Sequence, residues 1–112
     1  MEFKVEEHQG IIVVKVDLPR ATLTEAEEFK TMLTKNIQLG RHNLVVDLLE
    51  CEFIDSTFLG TLVVALKKVT GLGGDLRLVG FHPSVQSMFE LTRMHRVFET
   101  YKTLDKALES FE

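Results

Sequence analysis

The chain has 112 residues, of which 45% are hydrophobic and 27% are charged, and its formal net charge is -4. This length accommodates one domain with one core, and the composition is that of a folded chain rather than a disordered one. The mild acidity argues against nucleic acid as a partner, and no apolar run approaches the roughly 20 residues that span a bilayer. We therefore expect a single domain over residues 1–112 that inserts into no membrane.

The ends of the chain and its cysteine content indicate where the protein works. The terminal segments MEFKVEEHQG and KALESFE are charged, unlike a signal peptide or a lipid anchor. The single cysteine, Cys51, cannot form an internal disulfide and fits a reducing compartment. The expected location is the cytoplasm.

The first half of the chain predicts a hairpin and then a helix. Residues 3–8 and 11–18 are strand-like and flank a Gln-Gly turn; the second run is almost continuously apolar, as in a strand covered on both faces. In ATLTEAEEFKTMLTKNIQLG, apolar residues recur at three- and four-residue steps, with Thr22 or Thr24 as the candidate cap. That predicted core stripe comprises Leu23, Ala26, Phe29, Leu33 and Ile37.

The second half alternates strands and helices. Strands are predicted at 43–51 and 75–81, helices at 57 to about 70, 84–94 and 104–111, and a short strand or extended link at 97–103. A hairpin followed by this alternation predicts an α/β fold with a mixed central sheet of about four or five strands, the later ones parallel, and about four helices.

The stretch ECEFIDSTFLGTLVVALKKV (50–69) places an acid and two hydroxyls between an apolar strand and an apolar helix. With Ser56 as the expected N-cap, a helical projection at about 100° per residue separates a core side from an outer side. The core side holds Leu59, Leu62, Val63, Leu66 and Val69, with Phe58 at its edge; the outer side holds Thr57, Gly60, Thr61, Val64 and Lys68. The outer side is small and nearly uncharged over two turns, which suits close docking of a partner but also occurs on helices that bind nothing.

Ser56 has two interpretations. A serine at a helix start is most often only a cap, whose oxygen accepts a first-turn amide. The same amides and the helix dipole would stabilise a phosphate on that oxygen. An added charge of roughly -1.5 to -2 beside Asp55 would then oppose a partner docked on the outer side. The local sequence does not decide between the two.

The motif and the order of elements resemble STAS domains, in particular the bacterial anti-sigma factor antagonists, whose strand-to-helix junction typically reads Asp-Ser-Ser/Thr-Gly-Leu-Gly. The matching residues are Asp55, Ser56, Thr57, Leu59 and Gly60. The opening hairpin, the NLVVDL and GGDLRLVGF strands and the MFELTRMHRVFETYKTLDKAL ending follow the family's order, so the resemblance covers essentially the whole chain.

The resemblance implies a regulatory protein rather than an enzyme. It implies that a serine kinase, itself the anti-sigma factor, binds the unphosphorylated form, frees the sigma factor and phosphorylates Ser56, with Thr57 as the second choice; a phosphatase would reset the cycle. The expected contact surface comprises Asp55, Thr57, Phe58, Gly60, Thr61, Val64 and Lys68. We expect no cofactor and no metal, and a monomer or a weak dimer.

Two departures from the family pattern leave alternatives open. Phe58 stands where the family usually has glycine, and it either tucks beneath the helix as core or protrudes as a partner anchor. The segment VDLPRAT replaces a Gly-x-x-Asp pattern in a region that touches the kinase, with Asp17 as a candidate substitute for the displaced acid. The alternative function is a constitutive interaction subunit of a larger signalling or lipid-transport complex, in which Ser56 is never modified.

Other motifs carry less weight. GLGGD follows a helix and opens a strand, the reverse of a phosphate-binding loop, and the four histidines (His8, His42, His82, His95) lack ligand spacing. IDSTF lacks the glycines of a hydrolase nucleophile elbow. Cys51 and the apolar residues of SMFELTRMHRVF (87–98) are expected in the core, with a partner or dimer surface as the lesser option for the latter segment.

Overall fold

The computed structural model describes residues 3–112; Met1 and Glu2, the start of the charged amino-terminal segment, lie outside the described residues. The strands are β1 (Phe3–His8), β2 (Ile11–Val16), β3 (Arg20–Ala21), β4 (Asn43–Asp47), β5 (Phe53–Ile54), β6 (Asp75–Val79) and β7 (Glu99–Tyr101). The helices are α1 (Leu23–Gln38), α2 (Ser56–Gly71), α3 (Pro83–Leu91) and α4 (Leu104–Glu109), with a 3₁₀ turn at Met94–Arg96.

Five strands form a mixed sheet in the order β1-β2-β4-β6-β7. β1 and β2 are the predicted antiparallel hairpin, and their turn residues Gln9 and Gly10 have φ of 53° and 86°, as a type I′ turn requires. β2, β4, β6 and β7 are parallel, and α1, α2 and α3 supply the helical crossovers that parallel pairing needs. The predicted α/β fold with an initial hairpin is therefore confirmed.

Both faces of the sheet are covered, which explains the continuous apolar run of β2. Ile12, Val14 and Val16 join the larger core, to which α1, α2 and α3 contribute. Ile11 and Val13 point to the other face and join a smaller core with α4. A strand between two cores has apolar residues on both faces, so the run follows from the layering. Within β2 it is interrupted at Lys15, which is half-buried and forms an ion pair with Glu6 at 3.3 Å.

The structure resolves the cap of α1 and corrects one member of its predicted core stripe. Thr22 is the N-cap, in a capping box with Glu25, whose Oε1 accepts the Thr22 N–H at 2.8 Å. The other four stripe residues are buried, but Leu23 is 67% exposed. At about 100° per residue, Leu23 lies about 75° from the centre of the stripe, which places it outside the buried arc.

The segment after α3 also departs from prediction. Arg93 adopts a left-handed conformation with φ of 62°, so α3 ends at Leu91 rather than at residue 94. Phe89 and Phe98 are buried as predicted, whereas Leu91 is 85% exposed and Val97 is exposed, which corrects the core prediction for these two. Within residues 3–112, no helix has both the length and the apolar character needed to cross a membrane.

Close packing at the turn between α2 and β6 gives a stability prediction. A Cβ at Gly74 would overlap the backbone of His42, whereas a Cβ at Gly71 would meet open space. We expect Gly74→Ala to lower the free energy of unfolding by about 2 to 3 kcal/mol, because rigid backbone must move. Gly71→Ala should leave it unchanged or raise it by up to about 1 kcal/mol. Urea denaturation measures both variants, and equal stabilities would contradict this packing.

Candidate functional site

Two short strands that the sequence did not predict position the start of α2. β3 and β5 pair in parallel, with Arg20 opposite Phe53 and Ala21 opposite Ile54. The Arg20 guanidinium also lies 4.3 Å from the centroid of the Phe53 ring. β3 leads into α1 and β5 leads into α2, so the two helices begin side by side.

Asp55, and not Ser56, is the N-cap of α2, which corrects the prediction. Its backbone is extended, and its Oδ1 accepts the N–H of Phe58 at 2.9 Å. Its Oδ2 accepts the N–H of Leu23, the first residue of α1, also at 2.9 Å. A carboxylate has two oxygens for these two donors, whereas a serine hydroxyl has one. Asp55 therefore satisfies amides at the starts of both helices.

Ser56 is the first helical residue of α2, and its side chain is exposed. Because Asp55 supplies the cap, the Ser56 hydroxyl is not committed to that role. It stands in solvent at the end of the helix where the backbone dipole is positive. Thr57, the second candidate acceptor, is also exposed, and its carbonyl accepts the Thr61 hydroxyl at 3.3 Å.

Phe58 is a core residue with 0% of its surface exposed. Its ring stacks on that of Phe29 in α1, with centroids 4.5 Å apart, and Phe29 in turn contacts Phe3 at 5.1 Å. The assignment of Phe58 to the partner-contact surface is therefore wrong, because the side chain points beneath α2. The bulkier motif of this chain is accommodated by aromatic packing between α1 and α2.

The structure places the remaining predicted contact residues on the solvent side of α2. Thr57, Gly60, Val64 and Lys68 are exposed, and Thr61 is half-buried. A Cβ at Gly60 would meet nothing within 4 Å, so the surface is open there. Residues three and four apart share a helix face, so these side chains form one continuous strip that begins at Ser56. Asp55 lies half-buried at the head of this strip.

Leu23 is a member of this surface that the sequence did not identify. Asp55 binds its N–H, so an exposed leucine side chain lies beside the start of α2. Single exposed leucines are common on proteins, and only the bond to Asp55 connects this one to the site. The helical projection of α1 could have identified Leu23 as exposed, because it lies about 75° from the centre of the buried stripe.

Two other predicted residues lie away from this strip. Cys51 is buried, as predicted; its thiol donates to the Phe53 carbonyl at 3.3 Å, and burial raises the pKa of the thiol. Asp17 forms an ion pair with Lys4 at 3.2 Å, and its role as a substitute acid stays a prediction. Within the described part of the chain, no group of three or more His, Cys, Asp or Glu side chains is placed to hold a metal ion.

The fold and the helix-start motif define an α/β domain of the STAS type. The sequence matches the STAS domain family over residues 2–107, and the chain therefore belongs to this family. A Thermotoga neapolitana protein whose name places it among the anti-sigma factor antagonists is 30% identical over 98 residues, covering 88% of this chain and 83% of that protein.

Solved structures show the same fold. An anti-sigma factor antagonist from Mycobacterium paratuberculosis superposes with a TM-score of 0.86 at 28% identity, covering 96% of this chain and 91% of that chain. The Bacillus cell fate determinant SpoIIAA in its phosphorylated form superposes with a TM-score of 0.78 at 14% identity, covering 98% of this chain and 99% of that chain. The second likeness concerns the fold alone.

The identity of the cap gives a stability prediction. We expect Asp55→Ala to lower the free energy of unfolding by about 2 kcal/mol, because amides at two helix starts lose a charged acceptor. Ser56→Ala should change it by less than about 0.5 kcal/mol, as for other exposed positions. Chemical denaturation of the two variants tests this. A larger loss in Ser56→Ala than in Asp55→Ala would show that Ser56 is the cap.

Proposed function

We propose that this protein is a cytoplasmic anti-sigma factor antagonist that binds an anti-sigma factor kinase and is released when Ser56 is phosphorylated. The observation that carries the proposal is the exposed Ser56 hydroxyl at the first turn of α2, left free because Asp55 forms the cap. Membership of the STAS family and the names of its relatives support the antagonist role. In this role the protein binds its partner and catalyses no reaction itself.

The chemistry requires only an accessible hydroxyl. The partner kinase would transfer the γ-phosphoryl group of ATP to Ser56 Oγ. The bond between the γ-phosphorus and the β–γ bridging oxygen breaks, the Oγ–P bond forms, ADP leaves, and a base of the kinase accepts the hydroxyl proton. Ser56, Thr57 and Gly60 are exposed along the first turns of α2, so a kinase can approach from the solvent side. Thr57 is the second candidate acceptor because it is exposed one residue further on.

Phosphorylation would leave the fold intact. Ser56 lies outside both cores, so the added group displaces no packed side chain. The positive end of the α2 dipole and its first-turn amides favour a phosphate at this position. The phosphorylated Bacillus protein shows that a chain with this fold retains it when phosphorylated.

The same phosphate would oppose docking. A strongly hydrated dianion would stand at the head of the exposed strip of α2, next to the carboxylate of Asp55. A partner packed on this strip would have to desolvate the phosphate, and its own acidic groups would be repelled. The unphosphorylated protein would then bind the partner and the phosphorylated protein would release it, with the core unchanged.

The phosphoacceptor is tested with the purified protein, its partner kinase and ATP. We expect intact-mass spectrometry to show a single added phosphate on the native protein and on Thr57→Ala, and none on Ser56→Ala. Full phosphorylation of Ser56→Ala at another residue would refute the site. Circular dichroism of the variants serves as the control for folding.

The switch is tested by comparing baits in a pull-down from the source organism. The native protein and Ser87→Asp should retain a kinase-like anti-sigma protein, identified by mass spectrometry, whereas Ser56→Asp should bind it about 100-fold more weakly. Ser87 is an exposed serine of α3, so its substitution adds the same charge elsewhere. Equal binding by the two aspartate variants would contradict the switch and favour a constitutive interaction subunit.

A further inference from the structure

We propose that the groove between α1 and α2 receives an amphipathic helix of the protein partner that carries carboxylates toward Lys30 and Lys68. This inference rests on the proposed function and specifies the chemistry of the docking segment. The groove is lined by Lys30 and Thr34 of α1 and by Thr61, Val64 and Lys68 of α2, above a buried floor. We call this surface the α1–α2 groove.

The shape of the α1–α2 groove suits a helix rather than a small molecule. α1 and α2 start together at the β3–β5 pair and run side by side in the same direction. Leu33, Ile37 and Ala65 close the floor, and the cavity volume is only about 10 Å³. Small-molecule sites usually enclose hundreds of Å³, whereas a shallow furrow between two helices accepts the side-chain ridge of a third.

The charge of the groove indicates which side chains the partner helix must carry. Lys30 and Lys68 are exposed, and among residues 3–112 neither forms an ion pair. Among the described residues, Lys4, Lys15, Arg41, Arg77 and Lys106 pair with carboxylates, whereas Arg20, Lys35, Lys67, Arg93, Arg96 and Lys102 form no ion pair either. Lys30 and Lys68 are therefore distinguished by their position on the two walls of the groove. α2 contains no acidic residue, although the whole chain has a net charge of -4. Glu27, one turn before Lys30 on α1, does not neutralise it in an ion pair.

The centre of the groove is apolar and open. Val64 on its α2 wall is 46% exposed. One turn earlier on α2, outside the groove lining, a Cβ at Gly60 would meet nothing within 4 Å, so a partner can approach the helix closely there. The strip from Ser56 to Lys68 is continuous and about 18 Å long at 1.5 Å per residue. A partner helix of about 12 residues would therefore span the groove and reach the phosphorylation site. Small apolar residues toward Val64, flanked by acidic residues, would complement this surface.

The ligand chemistry is tested with two synthetic helix-forming peptides, one built from Ala, Leu and Glu and one with Lys in place of every Glu. We expect the Glu peptide, and not the Lys peptide, to shift the NMR amide signals of residues 30–37 and 60–68 of the native protein. Added salt should weaken this binding, because the charges are exposed. The absence of shifts in the groove, or equal shifts with both peptides, would overturn the proposal.

Reversing the charges of the two groove lysines tests the proposal most directly. The double variant Lys30→Glu/Lys68→Glu should bind the Glu peptide about tenfold more weakly and should prefer the Lys peptide. Lys106→Glu, on α4 across the sheet, should keep the native preference. The single variant Lys68→Gln, which adds no negative charge, should weaken the Glu peptide less than the double variant does. A double variant with the native preference would overturn the proposal.

These outcomes are separable from those of the proposed function. A protein that is phosphorylated on Ser56 and then releases its partner, but shows no peptide preference, would refute the groove and leave the switch. A charge-dependent peptide preference without phosphorylation at Ser56 would support the groove and refute the switch.

Discussion

The arrangement of the site depends on one carboxylate that is shared by two helices. Asp55 accepts the amide of Phe58 in α2 and the amide of Leu23 in α1, both at 2.9 Å. Amides at a helix start have no intrahelical acceptor, so each would otherwise need another group or water. The parallel pairing of β3 with β5 brings the two starts within reach of the same side chain. This shared contact joins the starts of α1 and α2, and the stacking of Phe58 on Phe29 holds the two helices together beneath the groove.

This arrangement separates the residue that stabilises the helix from the residue that can be modified. A phosphate on a capping hydroxyl would have to replace the cap bond, and modification would then alter the start of the helix. Asp55 caps α2 and the Phe58 ring packs beneath its first turn, whereas Ser56 does neither. A change of charge at Ser56 can therefore act on a binding surface while the stacking of Phe58 on Phe29 is retained.

Periodicity predicted the long elements, and it failed where the elements are short or where two residues compete for one position. β1, β2, α1 and α2 extend over several repeats of their pattern, whereas β3 and β5 have two residues each, which is too few for a repeat. Asp and Ser are both good N-caps, so the sequence DS cannot specify which of them caps α2. Arg93 ends α3 in a left-handed conformation that glycine or asparagine would have indicated but arginine does not. The exposure of Leu23 was readable from its phase, but an apolar residue in an apolar stripe is normally assigned to the core.

Lys68 in the α1–α2 groove and the proposed phosphate on Ser56 lie at opposite ends of the same strip. The distance between them is larger than the range over which exposed charges interact in salt solution. Ser56 and Lys68 are about 18 Å apart along the helix axis, whereas the Debye length is about 8 Å at physiological ionic strength. A phosphate on Ser56 therefore weakens the attraction of Lys68 for a partner carboxylate only slightly. Release must come from the contacts next to Ser56, where desolvation and repulsion act over a few ångströms. The lysines would then strengthen binding of the phosphorylated and unphosphorylated forms by similar factors, and only the first turn of α2 would distinguish them.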